Sequence, residues 1–373
     1  MDASAELNRT PLYDWHVAHG GRMVDFAGWS MPVQYTSIVE EHQATRSAVG
    51  LFDISHMGRI LVDGPDAGAF LDSLLTRSVV DMMPSKIRYS LVCNEAGGVL
   101  DDVLAYRPVL RADQPLGYGL VVNAGNRGKI GAWLQEHHGE HDVEIRDMTT
   151  AYAMVAVQGP QAIPLLDAFT PSEITSLHYY TGEMMSVVGV ECFVSRTGYT
   201  GEDGCELICD ADKIEGIWVE LLAAAEKVGG SSVGLAARDT LRLEAGMPLY
   251  GHELTEAINP IAAGLDFAVN LRDRTFIGKE AILAFHKDSH QPMRIGLQLS
   301  GRRVPREGCP ILLGEETVGT VTSGTFSPTF ERPIAMGYVK QIATAPGASI
   351  GVDIRGQQHA AKIVPLPFYE RGR

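Results

Sequence analysis

Cysteine is scarce. There are five (Cys93, Cys192, Cys205, Cys209 and Cys309), scattered along the chain with no C-x-x-C spacing. An odd, dispersed set does not read as a disulfide framework and fits a reducing compartment. Basic residues are also in deficit, 31 against 46 acidic ones, for a formal charge of −15. A chain this acidic repels phosphate backbones, so nucleic acid is not expected as a general partner. No stretch approaches the roughly 18 unbroken apolar residues of a membrane span, so no membrane association is expected. The opening residues, MDASAELNRTPLYDW, have neither an apolar h-region nor an Arg/Ser-rich amphipathic pattern. The expectation is a cytoplasmic protein without a leader.

Several catalytic signatures are missing too. There is no H-E-x-x-H zinc pattern, no G-x-S-x-G elbow, and no Lys-Ser/Thr after the glycine-rich segment at 195–204. His137, His138 and His141 fall where a helix gives way to a loop, which favours a solvated turn over a metal site. His56, in Ser55-His56-Met57-Gly58, reads as a satisfied structural histidine. No metal site is expected.

What is present is a chain of 373 residues, 45% hydrophobic, long enough for a core divided among two or three domains. Thr10-Pro11 predicts a capped helix start, with Gly20-Gly21 as its stop. Ser37 and Glu40 form a capping box for a second helix ending near Gly50. Asp53 to Val62 then reads as strand.

A weak internal repeat follows. Val62-Asp-Gly-Pro-Asp-Ala, running on to Leu71-Asp72, matches Val157-Gln-Gly-Pro-Gln-Ala, running on to Leu166-Asp167, at a constant offset. Each copy predicts strand, Gly-Pro turn and short helix, then extended segments around a glycine-rich acidic turn, then a longer helix. Two side-by-side split-βαβ units, at about 52–140 and 150–230, are the natural reading, with a ligand cleft between them. They would make up a region at 1–285. From 286 to 373 short extended runs such as Arg294–Leu299, Thr317–Thr322 and Ile334–Val339 alternate with Gly, Pro and Ser, predicting a small β-barrel. The fold class is α+β.

Three segments carry possible chemistry. In Gly97-Gly98-Val-Leu-Asp101-Asp102 the glycines permit a tight turn, and only one of two consecutive strand aspartates can face a given side. A carboxylate aimed into a cleft and a hairpin with two solvated acids both remain open. In Ser195-Arg-Thr-Gly-Tyr199-Thr-Gly-Glu-Asp-Gly204-Cys-Glu206, the acids Glu202 and Asp203 disfavour phosphate. A carboxylate at Glu206 suits the paired N–H edge of an amidine-like heterocycle, and Tyr199 offers a stacking face; an ordinary hairpin is the competing reading. In Gly234-Leu-Ala-Ala-Arg238-Asp239, Arg238 shares a helical face with Arg242. A ligand-carboxylate fork and surface salt bridges are equally compatible.

Together with Arg9-Thr-Pro-Leu-Tyr, Met23-Val-Asp-Phe-Ala-Gly-Trp29, Leu51-Phe-Asp-Ile-Ser-His-Met-Gly58, Phe276-Ile-Gly-Lys-Glu-Ala281 and Thr322-Ser-Gly-Thr-Phe-Ser-Pro328, these segments resemble the T-protein (aminomethyltransferase) family of the glycine cleavage system over nearly the whole chain. The resemblance implies a three-domain, cloverleaf-like protein, two interleaved α/β subdomains plus the barrel, with tetrahydrofolate in a central channel. It implies Asp102 as the catalytic residue, Glu206 as the pterin-binding carboxylate and Arg238 as a folate contact. Met57, Tyr89, Tyr106, Asn123 and Tyr199 would line the channel, and Arg371 is carried over from the family's variable tail. The implied partner is a lipoylated H-protein, the co-substrate tetrahydrofolate, with no metal or flavin. Two related readings stand beside it: a folate-dependent demethylase of a small amine or sulfonium donor, and a non-enzymatic folate-binding relative of iron–sulfur assembly. The Lys-Gly-Cys segment that marks the latter is absent, with Arg274-Thr-Phe-Ile-Gly-Lys-Glu280 in its place.

Overall fold

Two large antiparallel-rich sheets, a small three-stranded sheet (Asn8–Arg9, Trp29–Gln34, Arg22–Phe26) and a closed barrel carry the chain. The computed structural model describes residues 6–108, 117–286, 291–340 and 349–372; the first five residues of the N-terminal stretch lie outside them. The first sheet has the spatial order Ile87–Cys93, Val99–Tyr106, Tyr118–Val122, Gly58–Asp63, Glu144–Asp147. The second runs Gly182–Val187, Val190–Ser195, Gly204–Asp210, Tyr152–Gln158, Gly50–Asp53, Ser231–Ser232. In both, a three-strand meander sits beside the strand that opens the unit, so the Gly-Pro repeat corresponds to a repeated strand order. Each opening strand leads into a short helix, Ala67–Leu74 or Ala162–Asp167, and each meander into a longer one, Arg127–His137 or Ile214–Glu226. The longer helix of the second unit buries Ile214, Ile217, Trp218, Leu221, Leu222 and Ala225, which recur at helical spacing.

The two acidic turns are not equivalent. Residues 94–98 join the first and second strands of one meander, whereas 196–203 join the second and third strands of the other. The tip at 97–98 needs glycine twice. Gly97 has φ +77°, and a Cβ on Gly98 would lie 1.8 Å from the Glu256 carbonyl oxygen.

The predicted N-cap forms at Ser37, with the Glu40 carboxylate turned to the Ser37 hydroxyl and not to its backbone N–H. The Ser37 hydroxyl accepts from the Glu40 N–H at 3.2 Å and donates to its carboxylate at 2.9 Å, opening the helix Ile38–Ser47. The first helix begins later than Thr10-Pro11 predicted, at Tyr13, with Leu12 as its N-cap. The single strand read from Asp53 to Val62 is two. Gly50–Asp53 belongs to the second sheet and Gly58–Asp63 to the first, and the chain crosses between sheets over residues 54–57. That crossing interleaves the two units.

An apolar seam joins the sheets. Ile87, Tyr106 and Val121 of the first pack with Phe52, Met154 and Phe193 of the second, and with Ala237 and Leu241 of the helix Leu235–Glu244. Each of the Ile, Val, Leu, Met and Phe side chains contributes roughly 1.5–3 kcal/mol when fully buried. The seam fixes one sheet against the other along the rim of the site.

The C-terminal strands Met293–Leu299, Arg332–Val339, Glu316–Ser327, Pro310–Leu313, Ser349–Ile354 and Gln357–Val364 close into a barrel in that order. Closure leaves no unpaired edge. The barrel is tied to the Leu235–Glu244 helix by buried polar groups. Arg242 donates to Glu253 at 2.8 Å and to the Ser323 hydroxyl at 2.8 Å, while Glu244 accepts from Ser327 and Thr329.

Candidate active site

A cavity of about 830 Å³ opens where the two sheets, the Leu235–Glu244 helix and the barrel meet. Asp102, Glu206, Arg238, Tyr199, Tyr89, Met57 and Asn123 all lie on its wall. Tyr106 does not; it is buried in the seam, edge-on to Phe193 at 5.8 Å. Arg371 is also off the wall. It pairs with Asp203 at 3.2 Å and lies over the Tyr179 ring.

Asp102 comes from the middle strand of the first meander. Leu91 faces Asp102 and Val92 faces Asp101 in unbroken register, and the pairing with Ile87–Cys93 then slips by one residue, so that Cys93 faces Val99. Such a bulge adds local twist and re-aims the side chains beside it. Tyr89, two residues along the partner strand, donates its hydroxyl to Asp102 Oδ2 at 3.0 Å. Asn123, just past the third strand, donates its amide to Asp102 Oδ1 at 2.7 Å. Burial pushes the Asp102 carboxyl above the usual carboxylate range, and these two donors pull against that shift. The Tyr89 ring stacks on Phe267 at 5.9 Å, and Phe267 is an exposed side chain on the same cavity wall.

Glu206 sits on the third strand of the second meander, 6% exposed. Its carboxylate accepts from the Thr197 hydroxyl, which in turn lies 2.9 Å from the Ser195 hydroxyl. Burial raises the Glu206 pKa; the Thr197 hydrogen bond and the Arg238 charge oppose the rise. Arg238 lies over the Tyr199 ring at 4.7 Å. Among the described residues its guanidinium forms no ion pair or hydrogen bond, so the cation is uncommitted. Its helix neighbour Arg242 is the opposite case, engaged by Asp239, Glu253 and Ser323. The two arginines of one helical face thus divide between ligand space and framework. Tyr199 is fixed by donation of its hydroxyl to the Pro248 carbonyl at 2.5 Å.

His56 departs from its sequence reading. It is 1% exposed on the cavity wall, edge-on to Phe26, and its Nδ1 has no partner. Burial lowers its pKa to about 3, which keeps the ring neutral. Its neighbour Met57 was marked as channel-lining; the same sheet crossing carries both. Sequence reasoning gave no role to Asp101. It is fully buried and accepts three N–H groups from Asn123 and Asn126. Among the described residues no three His, Cys, Asp or Glu side chains converge as metal ligands.

The arrangement presents two carboxyl groups, an uncommitted guanidinium and aromatic faces to one apolar-walled space. Such a site orients a polar heterocycle and stabilises positive charge.

Comparison with known proteins agrees with that chemistry. Residues 12–273 match the family described as the GCVT N-terminal domain, and residues 293–370 match the glycine cleavage T-protein C-terminal barrel domain. The chain belongs to the glycine cleavage T-protein family. It is 45% identical to an aminomethyltransferase of Moorella thermoacetica, covering 98% of this chain and 99% of that one. It is also 45% identical to an aminomethyltransferase of Streptomyces coelicolor, over 99% of both chains. The crystal structure of glycine cleavage system aminomethyltransferase T from Bartonella henselae superposes with a TM-score of 0.89 at 35% identity, covering 98% of each chain. Within its family, then, this chain is an aminomethyltransferase of the glycine cleavage system. The demethylase and iron–sulfur readings give way to that match.

Proposed function

We propose that the cavity binds tetrahydrofolate with its pterin at Glu206 and its N5–N10 region at Asp102, and receives the aminomethyl-dihydrolipoyl arm of a lipoylated H-protein. One observation carries this reading: Asp102 and Glu206, from different sheets, line the same cavity.

The chemistry asks for positioning more than for a nucleophile of the protein's own. The donor carbon is bonded to sulfur and to an amine nitrogen. Two carbon–nitrogen bonds form, to folate N5 and N10, while the carbon–sulfur bond and the original carbon–nitrogen bond break. The two N–H protons of the folate leave with the departing groups, one on ammonia and one on the released thiol, so atoms and charge balance. Holding both reactants in register lowers the barrier by removing the entropy of encounter. Asp102, fixed by Tyr89 and Asn123, orients N10 and stabilises the cationic iminium-like carbon during transfer; it is also placed to pass on the N10 proton. Glu206 accepts the paired N–H edge of the pterin, and Arg238 supplies a cation for the anionic end of the folate.

The test is to mix the protein with aminomethyl-loaded H-protein and tetrahydrofolate and measure ammonia and methylenetetrahydrofolate together. Equimolar appearance of both is the expected result. Transfer from free dimethylated amines or sulfonium donors, with none from the loaded H-protein, would overturn the donor assignment.

A further inference from the structure

Asp101 has no assigned task in this scheme, yet the fold gives it a costly place. It is fully buried, and among the described residues no Lys, Arg or His pairs with it. An uncompensated buried carboxylate is destabilising unless hydrogen bonds replace water. Three do: the Asn123 backbone N–H to Oδ2 at 3.0 Å, the Asn123 side-chain amide to Oδ1 at 2.8 Å, and the Asn126 amide to Oδ1 at 2.6 Å.

The Asn123 amide has two hydrogens. One goes to Asp101 Oδ1, the other to Asp102 Oδ1 at 2.7 Å. A carboxylate can only accept from that group, so two carboxylates together fix which end of the amide faces them. The Asn123 side-chain carbonyl is left on a cavity-wall residue and accepts nothing from the protein among the described residues.

We infer that Asp101 is a positioning residue for the transfer: it locks the Asn123 amide so that one hydrogen holds Asp102 in place and the amide carbonyl stays free to accept a substrate N–H. The inference rests on Asp102 being the transfer carboxylate.

Tyr89 bonds Asp102, and the charges of Asp102 and Asp101 are felt at Tyr199 and Tyr250 respectively. Lys129, beside Tyr250, is engaged by it at 2.7 Å and by Glu256 at 2.9 Å. Burial, and for Asp101 also the charge of Asp102, push both carboxyls upward, so they titrate as a pair.

The experiment compares Asp101→Asn, Asn123→Ala and the double variant with the wild type. The readouts are kcat and KM with loaded H-protein, folate affinity by calorimetry, and the kcat–pH profile. Asp101→Asn must set its N–H₂ either against the Asn123 backbone N–H or against the two side-chain amides, and either orientation displaces Asn123. The expected result is a kcat loss of about 10- to 100-fold, with folate affinity within about threefold. The double variant should lose no more than Asn123→Ala alone, because both act through one group. The acid limb of the wild-type profile should span two ionisations and that of Asp101→Asn only one. Multiplying effects, a kcat near wild type in either single variant, or a loss confined to affinity would overturn the inference. Should Asp101→Asn not fold, Asn123→Ala alone decides: turnover near wild type ends the inference. An Asp102→Asn enzyme that still turns over ends the underlying reading instead; an inactive Asp102→Asn beside a fully active Asp101→Asn ends only the inference.

Discussion

Replacing Glu206 by glutamine tests the pterin assignment without disturbing the framework. In the free protein, Glu206 is buried and accepts one hydroxyl, from Thr197. A glutamine carbonyl keeps that bond. Burial holds the Glu206 pKa above its ordinary value, so the charged form is the one the fold disfavours. A group raised in this way stabilises the protein only at low pH and costs stability once pH rises through its folded pKa. Glu206→Gln should therefore unfold at the wild-type temperature or slightly above it near neutral pH. Ligand binding should respond in the opposite sense. The pterin edge offers two donors, and glutamine can accept only one while setting its own N–H₂ against the other. A charge-assisted hydrogen bond contributes about 1.5–3 kcal/mol, so tetrahydrofolate should bind roughly 10- to 100-fold more weakly. Anaerobic calorimetry measures this directly. Wild-type affinity should also fall as pH drops and Glu206 takes up its proton. Unchanged affinity in the variant would remove Glu206 from the site.

Two further outcomes concern what holds the cavity in place. Arg242→Met leaves Glu253, which is fully buried, without its cation. Breaking one side of such a pair costs about 3–5 kcal/mol, read by denaturant unfolding. Arg242→Met/Glu253→Gln should recover part of that loss, and a single variant within about 1 kcal/mol of wild type would refute the role of the pair. In acid, Asp53 and Glu244 should lead unfolding. Burial alone would raise both, but hydrogen bonds and charge from His16 bring Asp53 to about 2, and His42 does the same for Glu244. Depressed carboxylates stabilise the fold above their unfolded pKa, near 4, and that contribution disappears as pH falls toward 2. Asp53→Asn should flatten the stability–pH curve in that window; an unchanged slope there would count against the His16–Asp53 pair.

Much of this architecture was legible in the sequence where the signal is local. The Ser37–Glu40 cap needs only its own turn, and the Gly-Pro repeat announced two units whose strand orders do match. The Asp102 strand was legible as a strand, and alternation correctly allowed only one of its aspartates to face the cavity. Long-range pairing was not legible. Residues 50–63 carry one apolar pattern but serve two sheets, so the crossing that brings His56 and Met57 to the cavity leaves no mark on periodicity. Asp101 received no role because its partners, Asn123 and Asn126, arrive from beyond another strand. Arg238 and Arg242 could not be told apart while Glu253 and Ser323 were distant in sequence. Tyr106 sits on the Asp102 strand, but its ring fills the seam between the sheets.

The central claim, that Asp102 acts in transfer and not in folate capture, has one direct measurement. Asp102→Asn keeps the Tyr89 and Asn123 neighbours but removes the charge proposed to steady a cationic carbon. With tetrahydrofolate saturating and aminomethyl-loaded H-protein in excess, methylenetetrahydrofolate formation should fall by at least about 100-fold, while calorimetric folate affinity stays close to wild type. A variant that binds folate normally and still forms product at the wild-type rate would contradict the account.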